Sequence, residues 1–561
     1  MNDIKEAINK SVKELFGVDV TVELTRPDAQ FGDFSSNIAL QLVKKLANPP
    51  AGGPREIAEI LVEKIRDHQS IAKAEVAGPG FINVTLTDSI LNDFVRSVVD
   101  SKLMDRLNKN RDGQTIVIET NNPNPFKAMH IGHAFNAILA DTIANLLDAD
   151  GAKVYRVSYH GDVGLHVGKS MYSLLKYIDG DTDKLNSIAE NERNSFMSRM
   201  YAEGSKAYKD DESVKVEIDE LAQQSFQPKS VLYREVYDVC KEWSFRQIDQ
   251  TVARLGNKPI EEQGRFLESD ADDRGVKIVR DNVPEVFQES DGALIFPGSK
   301  YGAFDNAFVA SNGRGLYAAR DLGLMQLKNE YYHPKKSYIV TAEEQRAYFV
   351  GVIAAAELCM PDQKDVTVNI SHGTVKLTTG KMSSRDGDVV EIDWLLEQIA
   401  NAVKEHGGED NQAIEAGALR YQFLKVKIGS DVVFDINEAI SVAGNSGPYL
   451  QYAHARGRSI LEKSANKITG SYEPNFDESE RLLVRKMTEY PEIIEHAARE
   501  LAPHYICTYL YELSQEFNRF YEKNRVIGDE AEVKRLSLVS AYVGILKSGL
   551  ALLGIEAPSR V

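Results

Sequence analysis

What most limits the fold of this 561-residue chain is a switch of hydrophobic period between residues 115 and 159. Residues 115–120 (TIVIET) are β-branched and apolar at alternate positions, which reads as a strand. After an Asn/Pro-rich turn, Ile131, Ala134, Ile138, Ala144 and Leu147 recur with helical spacing until Gly151 offers a stop. Residues 154–159 then read as a second strand. A βαβ unit of this kind requires a parallel sheet with helices on its faces. Its polar turn, Glu119 to His133 (ETNNPNPFKAMHIGH), sets His130 and His133 three residues apart at a helix start. Free N–H groups and the helix dipole favour phosphate there, and imidazoles can donate hydrogen bonds to it. Gly132 between them suits close approach of a nucleotide. Far downstream, Gly380 to Gly387 (GKMSSRDG) follows Thr378 and Thr379 as a run of small and polar residues, suited to a mobile lid on which Lys381 can close over phosphate.

The competing reading of the histidines is a metal site, with His160, Asp162 and His166 in the next loop. Gly132 favours the nucleotide, and no metal ligand set is assigned. Cys240, Cys359 and Cys507 lie far apart without a CxxC pair, which points away from a zinc or disulfide framework and towards a reducing, cytoplasmic setting. Asp3, Glu6 and Glu14 among the first apolar residues mark an amphipathic helix rather than a targeting segment. The apolar tail from Leu538 to Leu553, interrupted by Lys547, reads as a buried core helix, so no membrane partner is expected. A net charge of −18 argues against a generic nucleic-acid binder but leaves room for a specific one held by local basic patches. Candidates for such patches are Arg420, Lys425, Lys427, Arg456, Arg458, Lys463 and Lys467.

The expected organisation is multi-domain. Residues 1–107 read as an α+β domain, with helices at 3–16, 38–46 and 55–67 and strands at 18–24, 73–77 and 81–87. Residues 108–404 read as a Rossmann-like α/β domain with a parallel sheet, interrupted at about 170–255 by a charged helical insertion. Strand signals resume at 277–279, 294–296, 307–310, 337–341 and 366–370. Residues 405–561 read as an all-α bundle, from apolar spacings such as Leu419, Phe423 and Leu424, and Leu510, Leu513, Phe517 and Phe520.

Several stretches together resemble one family. His130-Ile131-Gly132-His133 and Lys381-Met382-Ser383-Ser384 resemble the paired signatures of class I aminoacyl-tRNA synthetases. The arginyl-tRNA synthetases in particular are resembled by Phe31 to Asn37 (FGDFSSN), Gly78 to Asn83 (GPGFIN), Gly447 to Arg456 (GPYLQYAHAR) and Leu553 to Pro558 (LGIEAP). The resemblance implies ATP-dependent activation of L-arginine and its transfer to the terminal adenosine of an arginine-specific tRNA. ATP would arrive with Mg2+, without a tightly bound cofactor, at a monomeric enzyme. A catalytically silent tRNA-binding homologue is the alternative, disfavoured because both histidines and Lys381 are present.

By the same resemblance, His130, Gly132, His133, Lys381 and Met382 would bind ATP, with His130, His133, Lys381 and Ser383 acting in catalysis. Ser384 stands where the general pattern has a second lysine, and Lys127, three residues before His130, would supply that charge. Glu119, Tyr317 and Asp321 would grip the arginine side chain, since a guanidinium pairs with carboxylates. Asn122 would stand near the substrate's amino group, where the family usually has a small hydroxyl residue, and Asn124 and Gln345 would hold its backbone. Asn37 in the N-terminal domain, and Tyr449, Tyr452 and Arg456 in the C-terminal one, would touch tRNA. The chain departs from the family pattern at Asn122, at Ala319 (commonly Thr), at Tyr348 (commonly His) and in its last three residues, Ser559-Arg560-Val561.

Overall fold

The computed structural model describes residues 2–378, 390–406, 411–464 and 472–560. Contacts divide the chain into two units. One comprises Met1–Arg106, Arg456–Glu492 and Leu510–Leu546; the other comprises Leu107–Ala455, Ile493–Tyr509 and Lys547–Val561.

In the first unit, strand Phe81–Leu86 lies between Phe34–Ser36 and Ile71–Ala77, antiparallel to both. Its Ile82, Val84 and Leu86 are buried at the two-residue period of a strand packed on one face. Helices Ile38–Lys45 and Gly53–Ile65 bury Ile38 and Leu42, and Ile57, Leu61 and Ile65, at four-residue spacing. The strand expected at 18–24 is absent. Only Thr25 bridges, to Ser35, and the Val22 N–H goes to Asn9 Oδ1 at 3.2 Å. Alternating valines marked extended chain, but without a ladder partner it is not a strand. The FGDFSSN stretch is a brace. Gly32 has φ +103°, and a Cβ there would stand 2.8 Å from Val84 O. Buried Asp33 accepts from the Leu86 N–H (2.7 Å) and from Arg481 Nη2 (2.7 Å).

The second unit holds a five-stranded parallel sheet in the order Thr367–His372, Lys336–Ala342, Thr115–Glu119, Lys153–His160, Arg265–Leu267. The chain builds outward from Thr115–Glu119 to one side, then returns to build on the other. The order therefore reverses between Thr115–Glu119 and Lys336–Ala342, and ligands bind beyond the carboxyl ends of strands at such a reversal. Helix Ile131–Ala149 makes the first crossover, and its chain turns at Gly151 with φ +94°. Between the second and third strands come helices Leu165–Ile178, Arg193–Asp210, Glu212–Gln224 and Val231–Arg254, with a core of their own that includes Met171, Phe196, Ile218 and Trp243.

Two expectations for this region are corrected. Residues 277–279 lie in helix Glu268–Asp281, whose Gly275 approaches Ala319 O so closely that a Cβ would stand 1.8 Å from it. That interhelical contact outweighs the strand preference of Val279 and its neighbours. The signals at 294–296 and 307–310 belong to a separate antiparallel sheet, Gln288–Ser290, Ala293–Phe296 and Asn306–Val309.

Among the described residues, the regular structure of the C-terminal region is helical apart from Val432–Phe434, which pairs in parallel with Val375–Leu377. Helix Glu532–Leu552 is long and apolar enough to cross a membrane, but 67% of that stretch is buried inside the protein. Arg420, a candidate for phosphate contact, is instead fully buried. Its Nε donates to Leu553 O (2.7 Å), Nη1 to Leu255 O (3.0 Å) and Asn257 Oδ1 (2.5 Å), and Nη2 to Asp141 Oδ2 (2.8 Å) and Thr142 Oγ1 (3.1 Å). Lys425 is likewise committed, to Glu438 at 2.5 Å. This arginine also explains LGIEAP: a Cβ on Gly554, at φ +69°, would stand 2.1 Å from Arg420 Nη2. Gln451 of GPYLQYAHAR joins the same brace by donating to Ala413 O (2.8 Å) and Glu556 O (2.9 Å).

Candidate functional site

The turn after strand Thr115–Glu119 ends in an unusual helix cap. His130 Nδ1 accepts from the N–H groups of Gly132 (3.1 Å) and His133 (3.3 Å), while His133 Nδ1 accepts from the His130 N–H (3.3 Å). This is a capping box with imidazoles in place of the usual hydroxyl and carboxylate. The rings stack with centroids 3.5 Å apart. A Cβ on Gly132 would stand 3.1 Å from the His130 ring, so the glycine makes room for the stack. Since each Nδ1 is an acceptor, the proton of each neutral ring sits on Nε2. Burial, reinforced by Lys127, pushes His130 down to about 4. Burial, His130 and Lys127 hold His133 well below the ordinary histidine range. Both are therefore neutral Nε2–H donors at pH 7.

Lys127 is half-buried and has no hydrogen-bond or ion-pair partner among the described residues. Burial holds its ammonium below the usual lysine range. Its placement is set by Phe126, a fully buried residue at φ +64°, a conformation uncommon outside glycine. The Phe126 N–H donates to Ser244 Oγ (3.1 Å), its carbonyl accepts from Ser170 Oγ (2.8 Å), and its ring stacks on Tyr237 at 5.3 Å. All three partners come from the helical insertion. Lys381, Met382 and Ser383 lie outside the described residues. Val390 O, just beyond them in sequence, accepts from the Ile131 N–H at 2.9 Å.

A second cluster lies at the carboxyl ends of the strands. Buried Glu119 accepts from Lys328 Nζ (2.7 Å) on one oxygen and from Asn122 Nδ2 (2.8 Å) on the other. Asn122 Oδ1 accepts from the Tyr159 N–H (2.9 Å), and Asn124 Oδ1 from the Gly161 N–H (2.8 Å). Asp321 Oδ2 accepts from Tyr348 Oη (2.5 Å), and Oδ1 has no donor among the described residues. Burial, then Glu119 and Glu268, raise Asp321 to about 7, against the pull of Tyr348 and Lys328. Arg320 bridges Glu268 (2.8 Å) and Asp272 (2.7 Å), rather than forming a surface pair with Asp321. The Tyr159 hydroxyl is buried with no partner among the described residues, facing Asp321, Glu268 and Glu119.

The structure thus brings Glu119, Asn122, Asn124 and Asp321 together. Tyr317 is 68% exposed, with Arg320 over its ring at 5.4 Å. Gln345 is exposed at the start of the helix that carries Tyr348. Of the expected tRNA contacts, Asn37 is exposed and accepts from Gln41 (2.8 Å), Tyr452 is 46% exposed, Tyr449 is half-buried, and Arg456 lies over the Tyr521 ring at 4.7 Å. In the loop after His160, that ring contacts Pro123 O (2.5 Å) and Ser158 Oγ (2.8 Å), and His166 contacts Gly161 O (2.7 Å). No group of three His, Cys, Asp or Glu arranged to hold a metal ion occurs among the described residues.

Sequence reasoning passed over Glu268, Tyr159 and Lys328, and treated Tyr348 only as a departure. Glu268 directly follows a parallel strand and Tyr159 is the next-to-last residue of one, at the strands' carboxyl ends where Glu119 also sits. Lys328 is seven residues from Asp321, on one face of helix Tyr317–Tyr332.

Comparison with known proteins gives three matches that together span nearly the whole chain. Residues 2–86 match the arginyl tRNA synthetase N-terminal domain, 95–436 the catalytic domain of tRNA synthetases class I (R), and 450–561 the DALR anticodon binding domain. Relatives include an "Arginine--tRNA ligase" of Flavobacterium psychrophilum, 26% identical over 100% of both chains. Another, of Parabacteroides distasonis, is 27% identical over 100% of this chain and 99% of its own. Among solved structures, an arginyl-tRNA synthetase of Thermus thermophilus shares the fold at a TM-score of 0.79 and 24% identity, over 100% of both chains. One of Plasmodium falciparum does so at 0.78 and 19%, over 100% of this chain and 99% of its own.

Proposed function

The chain belongs to the class I arginyl-tRNA synthetases, and from that premise we propose which of its groups carry the reaction. It is an arginine–tRNA ligase: ATP activates L-arginine, and the arginyl group passes to tRNA. In the first step a carboxylate oxygen of arginine attacks the α-phosphorus of ATP and pyrophosphate leaves. In the second, a hydroxyl of the terminal adenosine attacks the activated carbonyl and AMP leaves. The protein's task in the first step is mainly to position the reactants and to stabilise charge on phosphate oxygens.

His130 and His133 donate from Nε2 to those oxygens, and Lys127 supplies the positive charge that Ser384 cannot. Lys381, Met382 and Ser383 join them from the second signature. Glu119 and Asp321 face the guanidinium, with Tyr317 over it, and Asn122, Asn124 and Gln345 take the amino acid's polar end. Glu119 arrives already paired with Lys328, so Asp321 carries the larger share of the charge match. Mg2+ enters with ATP as part of the substrate. Asn37, Tyr449, Tyr452 and Arg456 contact tRNA, and the enzyme works as a cytoplasmic monomer.

The observation that supports this assignment best is the pairing of two neutral Nε2–H donors with an ammonium that has no partner among the described residues, at the sheet's reversal. Donors and an ammonium so placed suit the phosphate oxygens of ATP. Attachment of radiolabelled arginine to arginine-specific tRNA, with ATP and Mg2+, tests it. Wild-type protein should charge arginine and no other amino acid. Protein with both histidines changed to alanine should bind tRNA yet charge at least about a hundredfold more slowly. Equal charging by that variant would remove the histidines from the reaction.

A further inference from the structure

Tyr348 stands on helix Arg346–Cys359, and its hydroxyl ends on the carboxylate of Asp321, on helix Tyr317–Tyr332. We propose that Tyr348 is a positioning residue for substrate selection: its hydroxyl bonds Oδ2 of Asp321 and fixes the carboxylate, so that Oδ1, which has no donor among the described residues, is the oxygen left fully open to the guanidinium. This rests on the assignment of Asp321 to the arginine pocket.

A free carboxylate presents two equivalent oxygens and rotates about its Cβ–Cγ bond, and a guanidinium can meet it edge-on in more than one way. Here one oxygen is committed at 2.5 Å. The ring that commits it is set edge-on against Phe349, with centroids 5.1 Å apart and planes at 83°. The carboxylate plane is therefore fixed before substrate arrives, which lowers the ordering cost of binding. A phenol is also donor to an anion and acceptor to a cation, so it can stay bonded to Asp321 with arginine present.

The same hydroxyl controls the carboxylate's charge. Asp321 is faced by Glu119 from strand Thr115–Glu119, Glu268 from helix Glu268–Asp281, Lys328 on its own helix, and the phenols of Tyr159 and Tyr348; Arg320, bound to Glu268, lies nearby. Two carboxylates and burial oppose ionisation, while Lys328, itself shared with Glu119, and Tyr348 favour it. Removing the phenol's donor raises Asp321 further. Arginine keeps its charge throughout, so it binds the ionised form, and its KM must rise as pH falls through the pKa of Asp321.

The test is arginine KM, ATP KM and kcat of tRNA charging from pH 5.5 to 8.5, for wild type, Tyr348→Phe, Tyr348→His, Tyr159→Phe and Asp321→Asn. Phe keeps the ring and its packing. Tyr348→Phe should raise arginine KM about tenfold at pH 7, the weight of one hydrogen bond to a charged group. It should move the rise in KM to higher pH and leave ATP KM within about twofold. Tyr348→His, which can donate to Asp321, should restore most of the loss. Tyr159→Phe removes a hydroxyl not bonded to Asp321 and should leave the pH at which KM rises in place. If Tyr348→Phe keeps the wild-type arginine KM and pH profile while Asp321→Asn raises KM, the proposal is wrong and the Asp321 assignment stands. If Asp321→Asn also leaves KM unchanged, both fail. Should Tyr348→Phe melt early, Tyr348→His decides alone: a folded variant whose arginine KM rises without a shift in pH profile would overturn the role.

Discussion

The second unit contains two kinds of polar cluster with opposite characters. Around Arg420 every donor is used: one guanidinium closes on three carbonyl or amide oxygens, a hydroxyl and the carboxylate of Asp141. Asp141 in turn accepts from Arg156 Nε (3.4 Å) and from the Lys258 N–H (3.2 Å). Around Asp321 and Lys127 the accounts stay open. The ammonium of Lys127 and Oδ1 of Asp321 have no partner among the described residues, and the Tyr159 hydroxyl is buried unpaired. Charge and burial alone do not separate the two, since Arg420 is the more buried. What separates them is completion. A closed cluster holds the fold, whereas an open one has unmet valences of a definite sign that a ligand can satisfy.

The sharpest way to break this contrast is to put the same residue in both places. Arg420→Met strands Asp141 among the remaining donors and removes five hydrogen bonds, and should destabilise the unit by about 3–5 kcal/mol. Urea unfolding would show it, while any remaining folded enzyme keeps its arginine KM. Lys127→Met removes an ammonium that burial already disfavours. Its melting temperature should equal or exceed that of wild type, yet kcat should fall by about 10²–10³. If Lys127→Met lowered the melting temperature and spared kcat, Lys127 would belong with Arg420 as a structural cation.

The two clusters were unequally legible in the sequence. Glu119 and Asp321 were reached through the family resemblance, with Glu119 at a strand's carboxyl end and Asp321 one helical turn past Tyr317. Arg420 was misread because a sequence displays a charge and hides its partner, and Asp141 is 279 residues away. Glu268 was missed for a different reason. Strand Arg265–Leu267 is three residues long, too short to show an alternation, so the carboxylate after it had no strand to mark it. The error at 277–279 shows tertiary override: valine and isoleucine favour strands, but the Gly275 contact with Ala319 needs a helix there. FGDFSSN, GPYLQYAHAR and LGIEAP were found as signatures, but their physical content was out of reach. Each holds a brace, Gly32 with Asp33, Gln451 with Glu556, and Gly554 with Arg420, whose partners are distant in sequence.

The smallest expected effect sharpens the contrast from within the open cluster. His130 is both a cap, closed through Nδ1, and a donor, open through Nε2, so protonation tests both halves together. Its folded pKa, about 4, is below the ordinary histidine value of 6.5, so folding favours the neutral ring. The stability this confers is fully present above the unfolded value and is lost as pH falls through about 4. At saturating arginine, which holds Asp321 ionised, kcat should therefore show no histidine titration between pH 8 and about 6, although unperturbed imidazoles would titrate near 6.5. Histidine NMR across that range, with His130 assigned by its loss in His130→Asn, should find the Nε2–H tautomer unchanged. An inflection near 6.5 in kcat, tracking a shift of that resonance, would mean the ring is charged at work. The cap through Nδ1 would then be broken whenever the phosphate is bound, and a single residue could not be closed on one side and open on the other.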